Sequence, residues 1–242
     1  MARAGGVVAG TLALLGEHIQ PGVTTGELDA IAEEFIRSHG GEPTFKGYKG
    51  YPAATCLSPN GMVVHGIPGA KKLADGDILS VDVGVTLDSF VADSAWTFPV
   101  GAIAPETQRL LDVCKAALEA GIAEARPGRS IGDISRAVQT VTEAAGFSVI
   151  RSLVGHGVGR SMHEDPQVPN FVSSYTGPEL QEGMTIAIEP MITAGAADVY
   201  IHDDEWSIST VDGSMAAHFE HTVAVTSEGP RVLTDDAGVL VR

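Results

Sequence analysis

Pro21-Gly22-Val23-Thr24-Thr25-Gly26-Glu27-Leu28 and Pro127-Gly128-Arg129-Ser130-Ile131-Gly132-Asp133-Ile134 are two copies of one pattern, 106 residues apart. Each reads as a turn that opens a helix. Thr24 with Glu27, and Ser130 with Asp133, have the spacing of a capping box. An apolar stripe of helical period follows each turn. It is Leu28, Ile31, Ala32, Phe35 and Ile36 in the first copy, and Ile134, Ala137, Val138, Val141 and Ala145 in the second. Gly40 and Gly146 stand where such helices stop.

Outward from these turns the correspondence continues. Before them lie two more helical stretches, 7–19 and 110–122, the second preceded by Pro105 at a first-turn position. After them, Leu73-Ala74-Asp75-Gly76 is followed six residues beyond the glycine by Asp82. Leu180-Gln181-Glu182-Gly183 is followed at the same distance by Glu189. The segments between, 78–81 and 184–188, read as strands. Each half thus reads helix, helix, strands, and a strand ending in a carboxylate. The expected fold is α/β (α+β), with pseudo-twofold halves of about 4–100 and 105–226 around a shared, mainly antiparallel sheet. No low-complexity linker interrupts the chain, so residues 1–242 are expected to form one domain.

The chain carries 15 Lys or Arg against 31 Asp or Glu, a formal net charge of −16. That balance excludes general affinity for nucleic acid or anionic membranes, and no Lys/Arg run offers a local exception. A hydrophobic fraction of 44% excludes a disordered chain. Two cysteines, Cys56 and Cys114, make neither a disulfide framework nor a zinc motif, and a reducing cytoplasm fits them best. Residues 1–15 are apolar after one arginine and resemble a short signal peptide. Glu17 and His18 close that run without a small-residue cleavage site, and it is too short to span a bilayer. A first amphipathic helix is expected instead.

Chemistry is suggested by polar residues inside apolar strands. Asp82 interrupts Ile-Leu-Ser-Val-Asp-Val, and Asp93 interrupts Phe-Val-Ala-Asp-Ser-Ala-Trp. Glu189 ends Thr-Ile-Ala-Ile-Glu, and Glu220 opens Glu-His-Thr-Val-Ala-Val. One such carboxylate is ordinary. Four on buried strands repel one another and lose hydration, yet no Lys or Arg lies in these strands to compensate. Divalent cations would. His156, between Gly155 and Gly157, is a candidate ligand because glycines let the backbone approach a ligand or metal. His163 and His65 lie nearby in sequence or in a similar context. His221 is expected to be a core hydrogen-bonding residue on the face opposite Glu220. His18, His39, His202 and His218 have no such context and are expected at the surface. Four carboxylates balance two divalent cations, the composition of a two-metal hydrolytic site. Oxygens with one nitrogen favour Mn, Fe, Co or Zn over Ca or Mg.

In order, the motifs are His-Gly-Ile-Pro, Asp-Val-Gly-x7-Ala-Asp, Gly-His-Gly-x-Gly-x3-His-Glu, Gly-Met-Thr-x-x-Ile-Glu-Pro and Phe-Glu-His-Thr. With 11 residues from Asp82 to Asp93 and 33 from His156 to Glu189, the chain closely resembles the bacterial type I methionine aminopeptidases over nearly its whole length. The resemblance implies the pita-bread fold and two divalent metal ions (Co, Mn, Fe or Zn). It implies that Asp82 chelates one ion, Asp93 and Glu220 bridge, and His156 and Glu189 hold the second. It places His163 and His65 against substrate. His163 would donate to the scissile carbonyl and the oxyanion formed from it, and His65 would assist proton transfer at the amide. Glu189 would also take a proton from the attacking water. The substrate would be the N-terminal Met of nascent polypeptides, its amine held by metal and its side chain walled by Phe45, Tyr48, Tyr51, Cys56, Met162 and Trp206. Among these, Phe45-Lys-Gly-Tyr48-Lys-Gly-Tyr51 reads independently as a glycine-spaced aromatic loop. A tight slot implies a small second residue, which makes this chain's own Met1-Ala2 start a substrate. A cytoplasmic monomer with transient ribosome contact and no membrane association is implied.

Departures from the family pattern are specific. The chain starts at the first family helix, without the short acidic leader of many members. Met162 stands where phenylalanine is frequent. His218 stands where glutamine is common, close enough to Glu220 to tune protonation there. The acidic stretch 198–205 precedes Trp206 and would reshape the pocket rim. Two alternatives use the same residues: an Xaa-Pro peptidase, which usually carries an additional N-terminal domain, and an inactive binding module, which typically loses ligands.

Overall fold

The computed structural model describes residues 1–174 and 176–235. Tyr175 and residues 236–242, the end of the expected 1–242 domain, lie outside the described residues. Helices form where the apolar stripes lie: α1 (Ala2–His18), α2 (Thr25–Ser38), α3 (Pro105–Glu124) and α4 (Ile131–Ala144). No helix among the described residues is long and apolar enough to cross a membrane. Both capping boxes form. The Thr24 N–H donates to the Glu27 carboxylate at 2.8 Å and the Glu27 N–H to Thr24 Oγ1 at 3.2 Å. The Ser130 N–H and hydroxyl both donate to the Asp133 carboxylate at 2.9 Å. Gly40 and Gly146, at φ 75° and 82°, end α2 and α4 in the left-handed conformation that glycine adopts without a Cβ clash.

The duplication extends to single hydrogen bonds. Gly22 N–H donates to the Leu73 carbonyl at 2.8 Å, and Gly128 to that of Leu180 at 3.2 Å. Leu73 donates back to Val23 at 2.9 Å, and Leu180 to Arg129 at 2.7 Å. Gly26 donates to Gly69, and Gly132 to Thr176, both at 2.8 Å. Further on, Gly76 donates to Val100 and Gly183 to Val225, both at 2.9 Å. Each helix start is thus tied to the turn that launches an acidic strand.

Each half buries its helices on its own strands. Leu12, Leu15, Leu28 and Ile36 pack with Leu79, Val81 and Val83. Leu110, Leu118, Ile131 and Ile134 pack with Ile186, Ile188 and Val223. Each such fully buried side chain contributes about 1.5–3 kcal/mol relative to exposure. Trp96 packs against both clusters.

Every strand pairing among the described residues is antiparallel, but the shared sheet is divided into four hydrogen-bonded sheets. The first half contributes the long hairpin Ile78–Leu87 and Phe90–Pro99. The second contributes a sheet containing His221–Thr226, Thr185–Ile188 and Gly155–Gly157. The halves meet where Phe90–Pro99 lies beside residues 218–222, and hydroxyls do most of the joining. Thr222 Oγ1 accepts from the Asp93 N–H at 2.9 Å and donates to the Asp93 carbonyl at 2.7 Å. Ser94 Oγ donates to the Glu220 carbonyl at 2.5 Å, and Thr97 Oγ1 to that of His218 at 2.8 Å. One backbone bond, Glu220 N–H to the Ala95 carbonyl at 2.9 Å, crosses the same line.

The hairpin corrects one expectation. Asp82 does not end its strand, which runs on to Leu87 and turns through Asp88 and Ser89 at φ 51° and 64°. A two-residue turn with both φ positive has the twist that antiparallel strands need. It pairs Asp82 with Ala95 and Gly84 with Asp93. Asp82 and Asp93 are therefore diagonal neighbours on one face, which is why their spacing is 11 residues.

The two caps should be equivalent in effect. Thr24→Ala and Ser130→Ala are each expected to lower Tm by about 2–4 °C, read by thermal melting at neutral pH. Hydrogen bonds from Thr24 hold the Glu27 carboxyl below its usual range, and those from Ser130 do so for Asp133. A lowered folded-state pKa means a contribution present above the unfolded pKa and lost as pH falls through the folded one. The melting difference between the chain and its Glu27→Ala, Asp133→Ala variant should therefore shrink as pH drops below about 4.

Candidate metal centre

Five groups converge from four segments of backbone. Asp82 and Asp93 come from one face of the hairpin. His156 is the centre of Gly155–Gly157, paired with Ala187. Glu189 follows Thr185–Ile188, and Glu220 precedes His221–Thr226. His156 Nε2 stands 3.8 Å from Asp93 Oδ2 and 3.5 Å from Glu189 Oε1. Ligand atoms of Asp93, His156 and Glu220 all lie within 4.8 Å of one another.

Burial drives the electrostatics. Desolvation pushes Asp82, Asp93, Glu189 and Glu220 above the usual carboxylate range. Neighbouring carboxylates push Asp93, Glu189 and Glu220 further. The same burial, with His163 nearby, lowers His156 to about 4, so its imidazole is neutral and able to ligate. Asp82 Oδ1, Asp93 Oδ1 and Glu220 Oε1 are buried without a hydrogen-bond partner among the described residues. Buried carboxylate oxygens in that state are costly unless something positive faces them. The donor set, oxygens with one imidazole nitrogen, suits divalent transition metals, so the residues fit the group the sequence suggested.

All the other expected site residues line the same cavity of about 220 Å³: Phe45, Tyr48, Tyr51, Cys56, His65, Met162, His163 and Trp206. Each wall has a local cause. Cys56 is the cross-strand neighbour of Asp82. The Tyr51 hydroxyl donates to the Thr55 and Gly66 carbonyls at 3.0 and 2.9 Å, which fixes the ring. Phe45 fits because Gly84 opposes Asp93; a Cβ there would sit 2.8 Å from the Phe45 ring. His163 stacks on Tyr48, with 2.9 Å between its Nδ1 and the Tyr48 hydroxyl, and its ring lies 4.3 Å from that of His156. Burial, then nearby Lys49, lowers the pKa of His163, and burial lowers His65 to about 4. His65 itself adopts φ 59°.

Three expectations change. His218 is not at the surface; it is 2% exposed, with Nε2 3.7 Å from Glu189 Oε2 and 3.8 Å from Glu220 Oε2. Its strand, Ala216–His218, is buried throughout, paired with Met191–Thr193 and with Ala216 and Ala217 in the apolar core. His202 is half-buried, its Nε2 2.7 Å from Ser209 Oγ. The glycines beside His156 serve the protein's own backbone. A Cβ on Gly155 would collide with the Ala187 carbonyl, and one on Gly157 with the Asp165 carbonyl. His221 is a core residue as expected, its Nδ1 2.9 Å from Thr234 Oγ1. His18 and His39 are exposed.

Some site residues were not singled out from the sequence. Lys49 lines the cavity, within the aromatic loop that already marked this region. Asn170 donates to the Glu189 carbonyl at 2.9 Å, and Asp29 accepts from the Thr55 N–H at 2.8 Å behind the slot. Nothing in the local sequence marks either one, although Asn170 is buried and Asp29 half-buried.

The pattern of metallopeptidase family M24 matches residues 1–227. Methionine aminopeptidase 1 of Bacillus subtilis is 49% identical over 234 residues, covering 97% of this chain and 94% of that protein. The crystal structure of methionine aminopeptidase from Thermotoga maritima matches with a TM-score of 0.96 at 43% identity, covering 98% of this chain and 95% of that one. A prolidase from Pyrococcus furiosus matches with a TM-score of 0.78 at 22% identity, covering 97% of this chain and 62% of that one. That last likeness is one of fold alone. The shared architecture is the pita-bread fold.

Because Gly155 and Gly157 make room for backbone, adding one methyl should displace His156. Gly157→Ala is expected to lower Tm by at least about 2 °C through overpacking. It should also weaken stoichiometric uptake of Mn or Co by metal-stripped protein, measured by calorimetric titration.

Proposed function

The chain belongs to metallopeptidase family M24, and from that membership we propose that Asp82, Asp93, His156, Glu189 and Glu220 hold two divalent cations at the base of a methionine-sized slot. It is a methionine aminopeptidase, a hydrolase that removes the N-terminal methionine of peptides. The observation that carries the ligand assignment is the set of unpartnered buried carboxylate oxygens on residues gathered around His156. When bound, divalent cations lower the pKa of water and polarise a carbonyl.

The protein's own residues do the rest. The slot of Phe45, Tyr48, Tyr51, Cys56, Met162 and Trp206 takes an unbranched apolar side chain and so places the first carbonyl beside the carboxylates. His163 donates to the oxygen of the scissile carbonyl and to the oxyanion that replaces it. A Tyr48 hydroxyl donating to Nδ1 leaves the ring proton on Nε2, the free nitrogen. Glu189 accepts a proton from the attacking water. His65, neutral at working pH, passes a proton at the amide. Residues 1–242 act as one catalytic domain with halves of about 4–100 and 105–226. The enzyme acts in the cytoplasm as a monomer, with a preference for a small second residue. The prolidase reading has the fold in common but no residue here favours it, and a binding module would have no need of both substrate histidines.

The deciding experiment is release of free amino acid from Met-Ala-, Met-Lys- and Leu-Pro-starting peptides. Metal-stripped protein refilled with Mn, Co, Fe or Zn should release methionine from the Met-Ala peptide, and a chelator should abolish it. Cleavage of the Leu-Pro peptide would move the chain to proline-specific chemistry. No cleavage with any metal would leave a binding protein.

His163→Ala should lower kcat about 10²–10³-fold, the effect of losing one oxyanion donor, and Asp93→Asn should lower it by orders of magnitude. A His163→Ala variant with the parent rate would overturn this mechanism. Loading Mn or Co at 100 times Kd should raise stability by about 2.7 kcal/mol, visible as a higher Tm.

A further inference from the structure

The acidic stretch 198–205 ends at Trp206, a wall of the slot, and one of its carboxylates is turned inward on the loop itself. Val199–Ile201 and Ile208–Thr210 form an antiparallel hairpin. Its loop is closed by His202 N–H donating to the Ser207 carbonyl at 2.9 Å and Glu205 N–H donating to the His202 carbonyl at 3.0 Å. Glu205 adopts φ 64°, a left-handed conformation that L side chains rarely take. Something must hold the chain there. Asp204 does: its Oδ1 accepts from the Trp206 N–H at 2.9 Å and the Ser207 N–H at 2.8 Å, and its Oδ2 accepts from Ser207 Oγ at 2.6 Å. Ser207 is buried, so without Asp204 its donors would be left unsatisfied. Trp206 then stands edge-on to Tyr51, with ring centroids 5.1 Å apart at 74°, and to His65, at 6.4 Å and 81°.

We infer that Asp204 is the positioning residue of the slot: by clamping the strained turn at Glu205 it holds Trp206 against Tyr51 and His65, and so sets how tightly the methionine side chain is gripped. This rests on the assignment of Trp206 to the substrate slot. Desolvation opposes ionisation of Asp204, but the Ser207 hydroxyl and the two N–H donors outweigh it and keep the carboxyl below its usual range. The clamp is therefore charged at neutral pH. No metal ligand and neither substrate histidine belongs to this loop, so its loss should affect binding more than turnover.

The test uses two readouts on the full chain. The chain has two tryptophans, so in a Trp96→Phe background Trp206 is the sole tryptophan, excited selectively beyond the absorption of the four tyrosines. Asp204→Ala should red-shift that emission and increase acrylamide quenching, without substrate present. With a Met-Ala-starting peptide and metal-loaded enzyme, the same change should raise KM about fivefold, the loss expected for one cap-like clamp, with kcat within about twofold. Asp204→Asn keeps an acceptor oxygen for the two N–H groups and should restore both emission and KM. Asp204→Ser, with a shorter acceptor, should fall between them, and it serves if the alanine variant gives no cooperative melt. Parent-like quenching and KM in a folded Asp204→Ala or Asp204→Ser variant would overturn the inference, because Trp206 would then be held by ring packing alone. A fall in kcat at unchanged KM would also overturn it. Parent enzyme that releases no methionine refutes the function instead, and the quenching arm still decides whether Asp204 holds Trp206.

Discussion

Four carboxylates that cannot all be ionised in a dry interior set the terms for the rest of this structure. Burial pushes each of them toward the protonated form, and neighbouring carboxylates push Asp93, Glu189 and Glu220 further. No lysine or arginine lies in the strands that carry them. Histidine does not relieve the strain either, since burial lowers His156 to about 4 and His218 to about 3. The cluster is thus stable only with protons or cations in it, and the donor set suits divalent cations. Its surroundings are built to tolerate the charge. Side-chain hydroxyls of Ser94, Thr97 and Thr222 satisfy the backbone at the line where the halves meet. Those hydroxyl-to-backbone hydrogen bonds do not involve the carboxylate oxygens, so the seam holds whether or not the cluster is charged.

Duplication supplies the geometry. In each half a capped helix and a turn are tied by equivalent hydrogen bonds, 106 or 107 residues apart, and an acidic strand leaves from that turn. Two such units facing one another deliver carboxylates from opposite sides. The halves then diverge where chemistry demands asymmetry. The first makes a long hairpin that sets Asp82 and Asp93 on one face. The second makes a shorter strand, with His156 beside it and Glu189 beyond its end. The substrate slot grows from irregular backbone at the edge of this frame. Its loops contain left-handed residues at Lys49, His65 and Glu205. Strands carry or flank the carboxylates and His156, and irregular loops carry most of the slot.

Much of this was legible in the sequence because the signals are local or periodic. Capping boxes, helical stripes and stop glycines lie within a few residues of one another, and the helices form where they predict. Asp82, Asp93, Glu189 and Glu220 were visible because a charged residue inside an apolar strand is conspicuous. The aromatic loop was visible through its glycine spacing. Other features were not. His218 looked unremarkable between Ala217 and Phe219, and only the pairing of its strand with Met191–Thr193 brings it inside, beside Glu189 and Glu220. The purpose of Gly155 and Gly157 was not legible locally, because the clash they avoid is with Ala187 and Asp165, on neighbouring strands. The division of the sheet into four sheets depends on where strands bend apart, which side-chain alternation does not encode.

The sequence by itself determined the two halves, their helices, the acidic strands and the types of residue available for catalysis, because each follows from short-range pattern and side-chain chemistry. Tertiary structure decided which of those residues meet. The two-residue turn at Asp88 and Ser89 put Asp82 and Asp93 on one face, and the seam hydroxyls brought Glu220 to them. Asp204 became a clamp on Trp206 only through a turn held at an unfavourable φ. Contacts between residues a hundred or more positions apart depend on register and packing across the whole fold, and no local stretch of chain contains that information.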